Sequence, residues 1–270
     1  MFVKVLIDNR AKNNLVHEWG LAIYIEYDSH KFLLDTGASS KFVKNALAAQ
    51  INLEEVEYGI LSHAHYDHAN GMAAFFERNK KACFYIRQGT QENCYESKWF
   101  FNKYVGIHKG FLEKYRDRIL YVEGDYELVH GVYLIPHKIP GLEAIGKKNN
   151  LCVKINGQKY PDSFNHEQSL VFDTEKGLVI FNSCSHGGAD NIIHEVAQTF
   201  PNKKIYAIIG GFHLFNAPQA EIKRFAERMK HTGIKKIFTG HCTGKRAFEI
   251  LNAELGDKVE QFYSGMDIKL

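Results

Sequence analysis

The chain has 270 residues, of which 45% are hydrophobic and 24% are charged, and its formal net charge is +3. This composition is typical of a globular protein that is long enough for one large domain or two small ones. Lysine and arginine are scattered rather than clustered, which disfavours a nucleic-acid-binding surface.

Hydropathy, the N-terminal segment and the cysteine content together predict the cellular compartment. No apolar run approaches the length of a membrane span, and the N-terminus is too short and too charged for a signal peptide. The five cysteines lack the spacing of a disulfide framework. We therefore expect a cytoplasmic protein with reduced thiols and no membrane partner.

Alternating and β-branched segments predict strands in the first third of the chain. Residues 39–50 predict a helix that is capped by Ser39 or Ser40. Its apolar side is formed by Phe42, Val43, Ala46 and Leu47. Strands are expected at MFVKVLID, LAIYIEY, HKFLLDTG, VEYGILSHAH and ACFYIRQG, and a helix begins at ANGMAAFFERN.

The remainder divides into two parts. Residues 90–145 are rich in aromatic side chains and then turn β-like, which predicts an irregular insertion covering the site and then a hairpin. The C-terminal half alternates strands with helices, expected at 189–199, 217–231 and 244–254. The sequence thus predicts an α/β fold, with several β-only stretches at the front. Because no low-complexity linker interrupts it, we expect a single domain over 1–270.

The stretch LSHAHYDHANG, residues 61–71, carries three histidines and an aspartate within six positions. His63 and His65 alternate as side chains on one face of an extended segment do. Asp67 and His68 follow at once. Four ligand-type residues at this spacing have no packing rationale, so they predict a metal site.

Three later strands also end in metal-capable residues: LVIFNSCSHGG, IYAIIGGFHL and KIFTGHCTG. Strand ends lie along one edge of an open α/β sheet, where ligands bind. We therefore expect His186, His213 and His241 to converge with the first cluster. Histidines isolated elsewhere, such as His137, are expected to be surface or hydrogen-bonded residues.

Imidazole and carboxylate are the usual ligands of zinc, iron and manganese when solvent must also bind. His63 and His65 suit one ion. A second ion suits Asp67, His68 and His241. His186 would complete the first site or lie near a bridging position, His213 would bind metal or substrate, and Cys184 would be a soft ligand or a small buried residue.

The motif His63-Ala-His65-Tyr-Asp67-His68, preceded by FLLDTGAS, resembles that of the metallo-β-lactamase superfamily. The stretches HEWGLAIYIEY, DTGASS, HEQSLVFDTEKGLVIFNSCSHGGADNII, IIGGFHL and GHCTG are similar to the 7,8-dihydropterin-6-methyl-4-(β-D-ribofuranosyl)-aminobenzene-5'-phosphate synthase subgroup. The resemblance covers roughly 1–85 and 150–265 and implies an αββα sandwich with a metal site at one edge. It also implies that Asp35 orients a ligand histidine from outside the site.

The chain departs from the superfamily pattern in two places. An aspartate that usually bridges two metals follows the strand that here is LVIFNS, where this chain has Cys184, Ser185 and His186. The usual third histidine is also not obvious, since YPDSFNHEQ offers Asp162, His166 and Glu167. Whether His186, Cys184, Asp162 or His166 completes the site stays open at this point.

The favoured function is a metal-dependent hydrolase of a small, phosphorylated or carboxylated substrate, with one or two divalent ions, zinc first and iron or manganese as alternatives. Asp67 would be catalytic, binding metal and accepting a proton from water. Predicted substrate contacts are His213, Trp99, Lys103, Tyr104 and His108. The aromatic stretch equally suits a small satellite core under a long loop.

Three alternative functions are less favoured by the sequence. A synthase or transferase joining an aromatic compound to a phosphoribosyl group is what the subgroup name implies. A di-iron oxidoreductase is less favoured because its usual flavin partner domain is not appended. A non-catalytic binding module has no need of an open metal. A small-molecule substrate is the expected partner, with no nucleic acid.

Overall fold

The computed structural model describes all 270 residues, which form two compact units. The first unit contains residues 1–123, 140–167 and 263–269. The second contains residues 124–139, 168–262 and 270. The single domain expected over 1–270 stays a prediction.

Seventeen strands and eight α-helices make up the two units. The strands are β1 (Phe2–Ile7), β2 (Ala22–Tyr27), β3 (His30–Leu34), β4 (Tyr58–Ile60), β5 (Cys83–Arg87), β6 (Cys94–Ser97), β7 (Asn102–Tyr104), β8 (Ile119–Val122), β9 (Tyr126–Val129), β10 (Val132–Pro136), β11 (Leu151–Ile155), β12 (Gln158–Pro161), β13 (Gln168–Thr174), β14 (Gly177–Phe181), β15 (Ile205–Gly210), β16 (Lys236–Thr239) and β17 (Val259–Gln261). The helices are α1 (Lys41–Ala48), α2 (Tyr66–Ala69), α3 (Met72–Arg78), α4 (Phe111–Lys114), α5 (Leu142–Lys148), α6 (Ala189–Thr199), α7 (Gln219–His231) and α8 (Lys245–Leu255).

The larger sheet of the first unit has the order β1-β2-β3-β4-β5-β8. Its first three strands are antiparallel, and β3, β4, β5 and β8 run parallel. Helices α1 and α3 bury their apolar faces against it, with Phe42 and Phe75 fully enclosed. All five strands predicted for this part of the chain are present.

The predicted apolar side of helix α1 is confirmed for three of its four residues. Phe42, Val43 and Ala46 are buried, whereas Leu47 is 68% exposed. Leu47 lies about 140° around the helix axis from Phe42, at the margin of the buried stripe. Ser40 occupies the N-cap position without a side-chain capping bond.

The expected irregular insertion is more ordered than its sequence indicates. Strands β6 and β7 form an antiparallel four-stranded sheet of the order β12-β11-β6-β7. Its central pairing joins Leu151 to Glu96 and Val153 to Cys94. This part of the prediction was wrong because the partner strand lies more than fifty residues away, and local periodicity carries no signal for that pairing. The hairpin expected after it is β9–β10.

The second unit contains one seven-stranded sheet of the order β17-β16-β15-β14-β13-β10-β9. Strands β14 to β17 are parallel, and the other pairs are antiparallel. Helices α6, α7 and α8 pack Ile192, Phe225 and Leu251 into its core. The longest helix, α7, has 13 residues, and no helix combines the length and apolar character needed to cross a bilayer.

Candidate functional site

Parallel pairing within the first unit places two chemically active segments side by side. Strand β3 ends at Leu34, directly before Asp35, and its neighbour β4 ends at Ile60, two residues before Ser62. Because carboxyl ends of adjacent parallel strands share one edge, these segments meet there. Asp35, Ser62 and His63 are all fully or almost fully buried.

The predicted cluster of residues 63–68 is compact. The ring centroids of His63 and His65 are 4.6 Å apart, and those of His63 and His68 are 4.2 Å apart. Helix α2 begins directly after His65 and turns the chain back, so that His68 returns towards His63. Asp67, also buried, has its Oδ2 3.8 Å from His68 Nε2.

Hydrogen bonds in this cluster determine which imidazole nitrogen carries each proton. Asp35 Oδ2 lies 2.7 Å from Ser62 Oγ and 2.7 Å from His68 Nδ1. A carboxylate accepts only, so both partners donate to it. The single Ser62 hydroxyl proton is thereby used, and Ser62 Oγ accepts from His63 Nδ1 at 2.8 Å. His63 and His68 therefore carry their lone pairs on Nε2, the form in which imidazole binds a metal.

The segment after Asp35 contacts the histidine cluster through hydrogen bonds to its backbone. The amide and the hydroxyl of Thr36 both donate to the carbonyl of His68, at 2.8 and 2.9 Å. A Cβ atom at Gly71 would lie 2.1 Å from the Thr36 carbonyl oxygen. Only glycine permits this approach, which explains the residue that closes the motif.

A second buried pair, Asp162 and His166, supports the same cluster from a segment about one hundred residues later in the chain. His166 Nε2 lies 3.1 Å from Asp162 Oδ2, and His166 Nδ1 accepts the Ala64 amide at 3.2 Å. The proton of a neutral His166 is therefore on Nε2, directed at Asp162. This geometry favours a positioning role, because Ala64 lies between His63 and His65.

The environment of Asp162 makes a prediction about acid stability. Burial alone would raise the pKa of Asp162, but His166 and the Phe164 amide outweigh it and lower the pKa to about 2. A depressed carboxyl pKa stabilises the fold above the unfolded value near 4 and loses that contribution as the pH falls towards 2.

Between about pH 4 and pH 2 we therefore expect the free energy of unfolding of the wild type to fall by about 2 kcal/mol more than that of Asp162→Asn. Urea unfolding at each pH measures both values. Asp117→Asn is the matched control, since the Asp117 side chain is 95% exposed. Equal acid sensitivity of the wild type and Asp162→Asn would contradict the assignment.

Two residues of this region were missed from the sequence, Ser62 and Cys94. Cys94 is fully buried on β6 with its Sγ 3.6 Å from His166 Nε2. The ligand atoms of His65, Cys94, Asp162 and His166 all lie within 4.8 Å of one another. A small polar residue directly before the first histidine was the available signal for Ser62, whereas Cys94 had none.

The second unit brings together its own strand-end residues. Parallel β14, β15 and β16 are followed by Cys184 and His186, by His213, and by His241 and Cys242. Ligand atoms lie within 4.8 Å of one another in each of two triads, which are Cys184 with His186 and His213, and Cys184 with His241 and Cys242. All of these residues are buried except His213, which is half-buried.

His137 has the ordinary role that was expected for isolated histidines. Its Nδ1 lies 3.0 Å from Glu195 Oε2, and Glu195 Oε1 accepts the amides of Lys138 and Ile139 at 2.7 and 3.0 Å. The His137 ring packs on Gly187, where an added Cβ would lie 2.4 Å from His137 Cε1. This buried pair thereby supports the loop that carries His186.

The predicted substrate contacts occupy different environments. Trp99 is 93% exposed, and Lys103 and His108 are also exposed. Tyr104 is half-buried, and its hydroxyl donates to the Ile107 carbonyl. Burial raises the pKa of this phenol, as do the charges of Glu92 and Cys94. The substrate role of these residues stays a prediction.

Comparison with known proteins shows what this chain is similar to. The family model of the metallo-beta-lactamase superfamily matches residues 20–146. The chain is 28% identical over 263 residues to the 7,8-dihydropterin-6-methyl-4-(beta-D-ribofuranosyl)-aminobenzene-5'-phosphate synthase of Methanocaldococcus jannaschii, covering 93% of this chain and 89% of that protein.

Solved structures agree with this family. Tm1679, described as a metal-dependent hydrolase of the beta-lactamase superfamily, is 29% identical, with a TM-score of 0.83 over 100% of this chain and 99% of its own. A diphosphatase from the PhnP family shares the fold at 13% identity, with a TM-score of 0.54 over 100% and 97% of the two chains. The α/β fold predicted from the sequence is confirmed, and the chain is similar to proteins of the metallo-β-lactamase superfamily, whose family model matches its residues 20–146.

Proposed function

We propose that this protein is a metal-dependent hydrolase of a small, phosphorylated or carboxylated substrate. The observation that carries the proposal is the buried cluster of His63, His65 and His68, in which hydrogen bonds keep the Nε2 lone pairs of His63 and His68 in the metal-binding form. Core packing alone does not account for three adjoining buried imidazoles that are held in these tautomers.

The proposed ligands are those expected from the sequence. They are His63, His65, Asp67 and His68 in the first unit, and His186 and His241 in the second. Nitrogen and carboxylate ligands in this number suit zinc, with iron or manganese as alternatives. We propose a cytoplasmic location, which suits five cysteines that are all free.

The residues of the chain have separate tasks in this mechanism. When bound, a divalent cation lowers the pKa of a water molecule and polarises a carbonyl or phosphoryl oxygen. Asp67, which would lie beside an ion held at His68 Nε2, would accept a proton from the attacking water. Asp35 holds His68 in orientation, and Ser62 does the same for His63.

The comparisons support this reaction class without fixing the substrate. Tm1679 is described as a metal-dependent hydrolase and aligns with the whole of this chain. The substrate class is proposed from the sequence. Aromatic faces near Tyr104 suit a planar ring, and the lysines of that segment suit a phosphate or a carboxylate.

The test combines metal analysis with a hydrolysis screen over phosphodiesters, lactones and thioesters. We expect His65→Ala to lose about one metal ion per chain and at least about a hundredfold in hydrolysis, because a ligand of the ion is removed. His130→Ala is the matched control, since the His130 side chain is 99% exposed. Circular dichroism of both variants checks that the fold survives.

Two results would reject the hydrolase. One is hydrolysis that persists after complete metal removal, and the other is full activity in His65→Ala. Stoichiometric iron with visible absorbance would instead support a redox centre.

A synthase is the second candidate, and one observation favours it. The synthase of Methanocaldococcus jannaschii aligns with 93% of this chain. This candidate predicts turnover only when a phosphoribosyl donor and an aromatic acceptor are supplied together. Hydrolysis of a single substrate would reject it.

A further inference from the structure

The parallel strands of the second unit share a feature at their amino ends. A lysine directly precedes each of three strands: Lys176 precedes β14, Lys204 precedes β15 and Lys235 precedes β16. Because these strands are parallel and paired in this order, their amino ends lie along one edge of the sheet. It is the edge opposite to the strand ends that are followed by His186 and His241.

The three lysines line one cavity of about 810 Å³. Its walls also include residues of α6 and of the carboxyl end of α7, and two further cations, Lys203 and Arg228. This volume lies within the range of about 300–1,000 Å³ that small-molecule sites occupy. All five basic residues are exposed, so a ligand can reach them from solvent.

The wall of this cavity carries more positive charge than the whole chain. It contains five basic side chains and one carboxylate, that of Asp190, which gives a formal charge of +4 when histidines are counted as neutral. The entire chain has a formal net charge of +3. The rest of the molecule therefore has a formal charge of −1, and the fold brings together cations that are scattered along the sequence.

Two of the cations are available to an anion from outside the chain. Lys203 and Arg228 each have a carboxylate oxygen at 2.6 Å. Lys204 and Lys235, by contrast, form no ion pair within the chain. The backbone of Lys235 is fixed by its amide, which donates to the Tyr206 carbonyl at 3.2 Å. These two lysines are therefore positioned at the cavity without an internal partner for their charge.

We propose that this cavity binds a small polyphosphate, a compact molecule with two or more phosphate groups in a row. Neighbouring strands lie about 4.8 Å apart, so the lysines that precede them form a row of charges rather than a single point. A chain of phosphates presents a matching row of negative charges, and lysine ammonium groups bind phosphate oxygens as point charges. A long nucleic-acid backbone suits the site less well, because beyond the cavity it would meet a surface that is not positively charged overall.

This site is separate from the proposed hydrolase. It uses the amino ends of β14, β15 and β16, and none of its cations belongs to the proposed metal ligands. Polyphosphate binding here needs neither a metal ion nor the histidine cluster. It is therefore expected whether or not any substrate is hydrolysed.

Isothermal titration calorimetry with inorganic tripolyphosphate tests the site. We expect the affinity of Lys204→Glu/Lys235→Glu to be at least about tenfold lower than that of the wild type, because two attractive contacts become repulsive. Lys44→Glu/Lys81→Glu is the matched control, since it makes the same change in net charge at two exposed lysines of the first unit. Its affinity should stay within about twofold of the wild type, because surface charges away from the cavity are screened by salt. Orthophosphate, a single phosphate group, should bind the wild type at least about tenfold more weakly than tripolyphosphate.

A second measurement needs no variant. Brief acetylation of the wild type, read residue by residue by mass spectrometry, should be slowed by tripolyphosphate at Lys204 and Lys235 but not at Lys44 and Lys81. It keeps the proposal testable if a charge-reversed variant does not fold.

Four results would overturn the polyphosphate site. They are the absence of saturable tripolyphosphate binding, equal losses in the two charge-matched variants, equal affinities for orthophosphate and tripolyphosphate, and acetylation of Lys204 and Lys235 that tripolyphosphate leaves unchanged. A single-stranded oligonucleotide that binds more tightly than tripolyphosphate and needs the same two lysines would also reject the small ligand.

One variant separates this site from the proposed function. His65→Ala should bind tripolyphosphate like the wild type even though it loses hydrolysis. Loss of tripolyphosphate binding in His65→Ala, with normal binding in Lys204→Glu/Lys235→Glu, would place the anion at the histidine cluster and overturn the proposal. Failure of the hydrolase itself would leave the expected calorimetry unchanged.

Discussion

Replacing Asp35 with alanine is expected to lower the free energy of unfolding by about 3–5 kcal/mol, the range found when one partner is removed from a buried charged network. Asp35 is fully buried and accepts three hydrogen bonds, from the Ser62 amide, the Ser62 hydroxyl and His68 Nδ1, each at 2.7 Å. Alanine would leave all three donors unpaired. Urea unfolding at neutral pH measures the change.

Part of this effect comes from the backbone, and a control isolates it. Asp35 has a φ of +58°, and Asp28, an exposed residue of the β2–β3 turn, has a φ of +47°. Asp28→Ala therefore reports the left-handed backbone penalty alone, about 1–2 kcal/mol. Equal losses in Asp28→Ala and Asp35→Ala would contradict the buried network.

The variant Asp35→Asn separates metal binding from folding. Asparagine tolerates a positive φ and keeps one acceptor, but its amide nitrogen faces a donor. We expect the zinc affinity to fall about 10–100-fold, the usual effect of losing a carboxylate that orients a ligand histidine. Competition with a chromophoric chelator gives the affinity.

Glu195→Ala is expected to have the largest effect in the second unit, lowering the free energy of unfolding by about 2–4 kcal/mol. The buried Glu195 carboxylate accepts from His137 and from the amides of Lys138 and Ile139. Removing it would leave three donors unpaired beside the loop that carries His186. Glu195→Gln, which keeps the shape and one acceptor, should lose less.

The loss should depend on pH in one direction. Burial alone would raise the pKa of Glu195, but His137 and the two amides outweigh it and lower the pKa. The stabilisation is therefore present above the unfolded value near 4.3 and disappears as the pH falls through the depressed value. A difference between wild type and Glu195→Ala that grows in acid would reject this interpretation.

Sequence periodicity predicted the elements whose signal is local. Helix α6 matches the expected 189–199, and the strands around the histidine motif are present. The spacing of His63, His65 and His68 was sufficient to expect convergence, since a strand end followed by a turn places these side chains close together. Asp35 was found only through family resemblance, because its partners come from a different strand.

What the sequence did not reveal depends on long-range contacts or on turn geometry. Cys94 reaches His166 only because β6 pairs with β11, and no local pattern encodes that pairing. An extended segment would place the side chains of His241 and Cys242 on opposite faces. The 3-10 turn His241–Thr243 instead brings the Cys242 sulfur within 4.8 Å of a His241 ring nitrogen.

The corners of the candidate site limit how this chain can adapt to heat. Positive φ angles occur at Asp35, Ser185, His213 and His241, each directly or a few residues after a strand end. Glycine would relax such corners and is the simplest route to a more heat-resistant chain. His241 is a candidate ligand, His213 is a candidate substrate contact, and Asp35 orients a ligand. Glycine at any of these three positions would remove a functional side chain. Of the four residues, only Ser185 has no proposed role in the site, so Ser185→Gly is the substitution of this kind that would keep the proposed functional side chains.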